Sequence, residues 1–423
     1  MKITIIKKAL LINAFLFFMP CQGQSISSII NTEGYYPYGT GISAKPTDAN
    51  DSIITVSASN VTINLNNYIF EQDLTSTASN FTGIFIVPGV HDVTICNGTI
   101  QNLTGTGIFV SDNCSKIVLE NLTITSCGNV GISAVGTSSG VFEVGIKNCV
   151  VSEIRATNTW PISINLQNCV KVILYDLRTQ GLSTTLIDES VGFLLNNVIA
   201  LDMSNCKALQ NSGINRSIGF LFDNCQDGMI NGSLAYKNAT IGGDGADKAI
   251  GFFMRDCQRI SLRNCQSALN DAQFGSSIGF CCQNGQQNIF EKCFAQLNSA
   301  QSDVQGFYMA QESELQLVKC TSRSNKAVAG QATGIYLDQS SECYICNNTL
   351  VNNQGATSFG ILDTLEPSSS SIIGNYAFNN GTNYSVTYTN GVVLAQLELS
   401  LSNTSQDVSG AAVVTLHNIS VNP

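Results

Sequence analysis

Short alternations of apolar and polar residues run along most of the chain, among them KIVLEN, KVILYD, RISLRN and LQLVKC. A period of two is that of a strand with one face buried. No long helical period follows the first two dozen residues, so the pattern predicts an all-β chain. A second kind of segment opens on glycine followed by Ile or Phe, at Gly83, Gly107, Gly131, Gly192, Gly219, Gly251, Gly279, Gly306, Gly334 and Gly360. WPISINLQNC fills the one gap, with Pro161 expected at the glycine position. The steps run from 24 to 32 residues, too regular for independent domains.

Each glycine segment is followed by a polar residue, often a Cys, a short alternating strand, and then a polar residue with a small or apolar one after it. The pairs Asn97/Gly98, Asn121/Leu122, Asn148/Cys149, Asn205/Cys206, Asn231/Gly232, Asn264/Cys265 and Lys319/Cys320 keep that register. One such repeat, two or three strands and their turns, cannot bury its own apolar side. Stacked repeats can, at about 4.8 Å per coil, and 11–12 coils make a rod on the order of 50 to 60 Å long. The recurring glycine marks a tight bend or a close backbone approach, and stacked asparagines hydrogen-bond along the rod.

With this repeat the chain resembles the right-handed parallel β-helix proteins of the pectin-lyase-like superfamily. The resemblance covers roughly residues 52–390 and is strongest in SIITVSASNVTINLNNYIF and HDVTICNGTIQNLTGTGIFV. It implies the fold far more than a function, because lyases, hydrolases, epimerases and adhesins share that scaffold. Residues 24–51 and 391–423 lack the repeat and are expected to cap the two ends, since open coil ends would pair with other chains.

The first 23 residues hold Lys2, Lys7 and Lys8, an apolar run from Ala9 to Met19, and then Cys21 and Gly23. That is the layout of an export signal cleaved after Gly23, with lipidation of Cys21 as the other reading. No other apolar run reaches the roughly 18 residues needed to span a bilayer. The expected location is outside the cytoplasm: periplasm, cell surface or medium. A net charge of −10 argues against nucleic acid as a partner, because neutralising a phosphate backbone takes excess Lys and Arg.

Sixteen cysteines raise the question of bridges or metal. Cys114, Cys169, Cys225 and Cys257 fall at one repeat position, Cys149, Cys206, Cys265, Cys293 and Cys320 at another. Other coils put Val, Leu, Gly or Asn there, which favours small filler over disulfides or metal ligation. Cys343 and Cys346 have no second pair at zinc spacing. Adjacent Cys281 and Cys282 must point to opposite faces of a strand.

The hydrolases of the resembled fold carry Asn-Thr-Asp, Asp-Asp, Gly-His-Gly and Arg-Ile-Lys motifs, and none occurs in this sequence. Counting back from Gly192, Gly219 and Gly251 aligns Glu189, Arg216 and Lys248, with Asp188, Asn215 and Asp247 one position earlier. Asp244 and Asp271 add acidity nearby. Stacked on one side of the rod, these residues would hold calcium at Asp244 and Asp247 and leave Arg216 or Lys248 as a base. The simpler reading is cross-coil charge pairing, which also predicts Asp223 beside Arg255, Asp227 beside Arg259 and Arg263 beside Glu291. Trp160, Tyr35, Tyr36, Tyr38 and Tyr175 offer faces for a sugar ring or for packing.

Together these features predict an exported right-handed parallel β-helix that binds a polysaccharide or cell-surface glycan, or serves as a surface module, with no cofactor. The competing reading is a polysaccharide lyase or glycoside hydrolase working on the side near Asp188–Asp271. A tailspike-like part would assemble as a trimer; monomer and trimer are both compatible with the sequence.

Overall fold

A computed structural model describes residues 28–386 apart from 46–50, 74, 76–78, 138–139, 157–158, 183–188, 243–246 and 366–369. The export signal and the C-terminal cap expected at 391–423 lie outside the described residues. What is described is a right-handed β-solenoid of about 12 turns in which every strand pairing is parallel. A fourteen-stranded sheet, called the front sheet below, runs from Ser28–Ile30 to Thr382–Ser385. The other faces are formed by the strands that follow each front strand, and a five-stranded ladder of two-residue strands edges the later coils.

The expected start of the coils needs correction. Ser28–Ile30, Gly34–Pro37 and Ile42–Ala44 pair with Ser52–Val56, Val61–Asn64 and Ile69–Gln72, so a full coil lies inside the segment assigned to the cap. Tyr38 packs edge-on against Phe70 at 5.0 Å in that coil. Pro161 is also not at the glycine position. Ile164 pairs with Phe193 and Ile132, which puts buried Ser163 level with Gly131 and Gly192. The proline instead stands just ahead of the strand, where its carbonyl accepts Val191 N–H at 3.1 Å.

The recurring polar residue followed by Cys has a backbone cause. At the first corner Asn168, Asn197, Asn224, Asp256 and Asn284 all have φ between 52° and 56°, the left-handed region that Asn and Asp tolerate best. That conformation turns the chain and sends the next side chain inward. At the second corner Asn148, Asp176, Asn205, Asn264 and Lys319 do the same. Here the register moves one pair: Ser204 pairs with Asn231, so Gly232 at φ 61°, not Asn231, is the corner residue. The inward thiols then donate to a carbonyl one coil back, Cys265 to Ile230 at 3.6 Å and Cys320 to Phe290 at 3.4 Å. Asn348 takes that role in the next coil, donating to Leu317 O at 2.8 Å. A third corner carries the buried amide ladder Asn211, Asn238, Asn270, Asn298, Asn325 and Asn353, bonded side chain to side chain.

All fifteen described cysteines are free and buried. Most are both filler and weak donors to a backbone carbonyl, which the expectation of filler alone had missed. Glu312 breaks the first-corner column, one coil beyond Gly285. Its carboxylate accepts Gly285 N–H at 2.7 Å and Asn288 Nδ2–H at 3.2 Å, and burial raises its pKa. A Cβ on Gly285 would lie 2.7 Å from that carboxylate, so glycine there makes the space.

Charges stack by sign on the outer turns. Asp223 and Arg255 form a two-point pair at 2.9 and 2.6 Å, Arg259 meets Asp227 at 2.6 Å and Arg263 meets Glu291 at 3.5 Å. All three expected pairs are therefore adjacent. An earlier run alternates likewise: Asp92 with Lys116 at 3.5 Å and Glu143 with Lys171 at 2.9 Å, with the coil of Lys116 beside that of Glu143.

Candidate functional site: a groove on the front sheet

Four successive front strands, Glu189–Asn196, Arg216–Asp223, Lys248–Arg255 and Ser276–Gln283, share one plan. Their second and fifth residues face in, and the glycine at the fourth breaks the alternation. A Cβ on Gly192, Gly219 or Gly279 would stand 2.6 Å from the carbonyl oxygen of the glycine in the next coil. Glycine is therefore required by backbone approach, and the kink it allows lets residues on either side of it alternate independently. The result is an inner column Phe193, Phe220, Phe252, Phe280 and Phe307, stacked at 4.5 to 5.0 Å between ring centroids.

Outward, the same strands carry a second apolar cluster separate from the core: Val191, Leu194, Ile218, Leu221, Ile250, Phe253, Ile278 and Cys281. Cys282 lies in the core, so the adjacent cysteines do face opposite ways. Between the rims of this outer face runs a groove of about 490 Å³ with Ile250, Phe253, Ile278 and Cys281 as its apolar lining. Phe253 is only 6% exposed, so the groove is narrow and its accessible chemistry lies at the rims. One rim holds Glu189, Arg216 and Lys248 with Asn215; the other holds Arg255 and Gln283.

The register expected at the first rim is observed: Glu189 pairs with Arg216, and Arg216 with Lys248. Glu189 and Arg216 form an ion pair with the carboxylate nearly buried. On the other rim, the hydrogen bonds that Arg255 donates to the Asp223 carboxylate raise the Arg255 pKa. Lys248 is exposed and makes no ion pair among the described residues. Continuing the pairing of Ile162 with Val191 sets Trp160, 43% exposed, one coil before Glu189 on this rim.

The other described members of the expected cluster do not assemble there. Asp247 is fully buried. Its Oδ2 accepts Thr240 Oγ1–H at 2.6 Å and Phe274 N–H at 3.4 Å, and its Oδ1 has no hydrogen-bond partner. The carboxyl group thus points behind the rim, and Asp247 is not a surface ligand beside Lys248. Asp271 is exposed on the five-stranded ladder and bonded by Ser299, away from the groove lining. Asp188 and Asp244 lie outside the described residues. Tyr175 is exposed on a different sheet. Sequence reasoning missed Ile250, Phe253, Ile278, Cys281 and Gln283. The available signal was the run of three large apolar residues after each glycine, in GFLF, GFFM and GFCC, which fills both faces of the strand.

Parallel register, left-handed corners and an asparagine ladder define the chain as a right-handed parallel β-helix of the pectin-lyase-like kind. Residues 178–406 match the family model described as periplasmic copper-binding protein (NosD), more than half of the chain, and the protein belongs to that family. It is exported, in keeping with the periplasmic description of the family. No curated protein matches it.

Among solved structures it is similar to the A-module of a mannuronan C-5 epimerase of Azotobacter vinelandii, with 12% identity, a TM-score of 0.40, and 83% of this chain and 90% of that one covered. It is also similar to the DFA-IIIase of Arthrobacter chlorophenolicus A6 solved with DFA-III, with 9% identity, a TM-score of 0.37 and coverage of 72% and 70%. The Dettilon tailspike protein matches at 12% identity, with a TM-score of 0.31 and coverage of 81% and 62%. These likenesses say nothing about what the groove holds.

Proposed function

We propose that the protein is an exported glycan-binding β-helix whose site is the front-sheet groove. The observation that carries this reading is the groove's construction: an apolar lining between two rims of hydrogen-bonding and charged side chains. Sugar rings present apolar faces and polar edges, and such sites combine the two in this way. Arg216 and Arg255 are fixed by carboxylates on neighbouring coils, so these donors are held in place before a ligand arrives.

The chemistry favours binding over turnover. A glycoside hydrolase needs two carboxyl groups across the scissile bond, and among the described residues the groove lining has one, Glu189, already paired with Arg216. Asp247 is walled off by burial. Copper, named in the family's description, does not fit the described donors either. No three of His, Cys, Asp and Glu come together among them. His91 is exposed and paired with Asp92. Most of the thiols hydrogen-bond to carbonyls, among them Cys169 and Cys206, and burial pushes these two up to about 12, which disfavours the thiolate that a soft metal requires. His417 lies outside the described residues.

The test is a glycan array with the mature protein, followed by calorimetry and an assay for new reducing or unsaturated ends, with and without calcium. Binding without new ends is the expected result. Turnover that disappears in Lys248→Ala would replace this reading with the lyase.

A further inference from the structure

We propose that the groove selects saccharides carrying an anionic group, and that Lys248 takes the anion. This rests on the groove being a glycan site. The lining holds three cationic side chains, Arg216, Lys248 and Arg255, against one carboxylate, Glu189. Glu189 is committed to Arg216 and Asp223 to Arg255, so both arginines are neutralised where they stand. Lys248 is the remaining charge. Its register neighbours are Arg216 on one side and Ser276 on the other, and neither supplies a counter-ion.

On a protein of net charge −10, a rim cation with no ion-pair partner among the described residues is a local reversal of the field. Polyanions are repelled by the net charge and drawn in where a cation stands without a counter-ion. Ile250 and Ile278, the outward residues two positions after Lys248 and Ser276, are 2% and 5% exposed. An anion seated on the ammonium would lie against this dry lining, where a charge-assisted hydrogen bond is stronger than in open water. Glu189 shields the Arg216 guanidinium from the same anion, which leaves the selection to one residue.

The test compares three oligosaccharides of equal length by calorimetry at low and at physiological salt: neutral, carboxylated and sulfated. The intact protein is expected to bind one or both anionic forms about tenfold or more tightly than the neutral one, as a charged hydrogen bond of about 1.5–3 kcal/mol implies. Lys248→Gln should bring the ratio of anionic to neutral affinity close to one, whatever it does to the neutral affinity itself. Lys248→Arg should restore most of the preference. Lys248 is exposed, and an unchanged melting temperature in both variants verifies the fold. Equal binding of neutral and anionic forms, or a preference that survives Lys248→Gln, overturns the inference and leaves the glycan site standing. Failure of all three to bind overturns both.

Discussion

The two faces of the front sheet are built on the same strands by different rules. Inward, each coil repeats its neighbour: Phe over Phe, Cys over Cys, Asn over Asn. Outward, the apolar lining repeats in kind, while the rims change from Glu189 to Arg216 to Lys248 and from Asp223 to Arg255 to Gln283. Repetition suits a core, where volume and ring stacking are the only demands. The rims vary from coil to coil, and variation is what gives a solenoid face a distinct place along its length. The inner face specifies the fold; the outer face specifies one site among a dozen similar coils.

Adjacent residues can separate the two roles. Phe252 faces in and Phe253 out. Phe252→Ala should cost about 3–5 kcal/mol in denaturant unfolding and leave the affinity of the surviving folded protein near normal. Phe253→Ala should cost less stability and weaken glycan binding. A reversal of that order would mean the faces are assigned wrongly.

The next effect is at the glycine column that divides the faces. A Cβ at Gly251 meets Gly279 O at 2.7 Å, so Gly251→Ala should destabilise by about 1–3 kcal/mol and disturb the groove as well, read by melting and binding together.

Glu312 tests the rule of inner repetition, because it puts a carboxylate into a column where other coils place thiols. Burial raises its pKa in the folded chain. The native state then holds a proton that the unfolded state has released, and stability must fall as pH rises from the usual glutamate range through the raised value. Glu312→Gln should remove that slope. Melting temperatures from pH 4 to 8 should show the parent losing ground to the variant towards neutral pH; parallel curves would refute a role for this carboxyl.

Smallest is the rim pair. A double-mutant cycle on Asp223 and Arg255 should give a coupling of about 0.2–1 kcal/mol, weaker in high salt, against a larger change in groove affinity.

The solenoid was legible in the sequence because its causes are periodic. The glycine steps report a backbone contact repeated in every coil, and three charge pairs aligned from spacing alone are adjacent. Errors arose where one coil departs from the period. Ser163 stands in for glycine, and Gly232 replaces the usual Asn–Cys pair by shifting it one residue. The first coil, with Ser28–Ile30, has no such glycine to announce it. The groove was harder to read because a run such as FFM looks like core whichever way it points. Asp247 shares the column before Lys248, yet a side chain's column does not say whether it turns inward or outward.

The alternating charges on the outer turns act as a parity check on assembly. Columns of identical Phe, Cys or Asn cannot tell one coil from the next, so a chain that looped out a whole coil during folding could still stack its core. The run Asp92, Lys116, Glu143, Lys171 detects that mistake. Omitting one coil would bring Asp92 beside Glu143, or Lys116 beside Lys171, and turn attraction into repulsion. Over these coils a sequence built from near-copies thereby carries its own check that no single copy has been skipped.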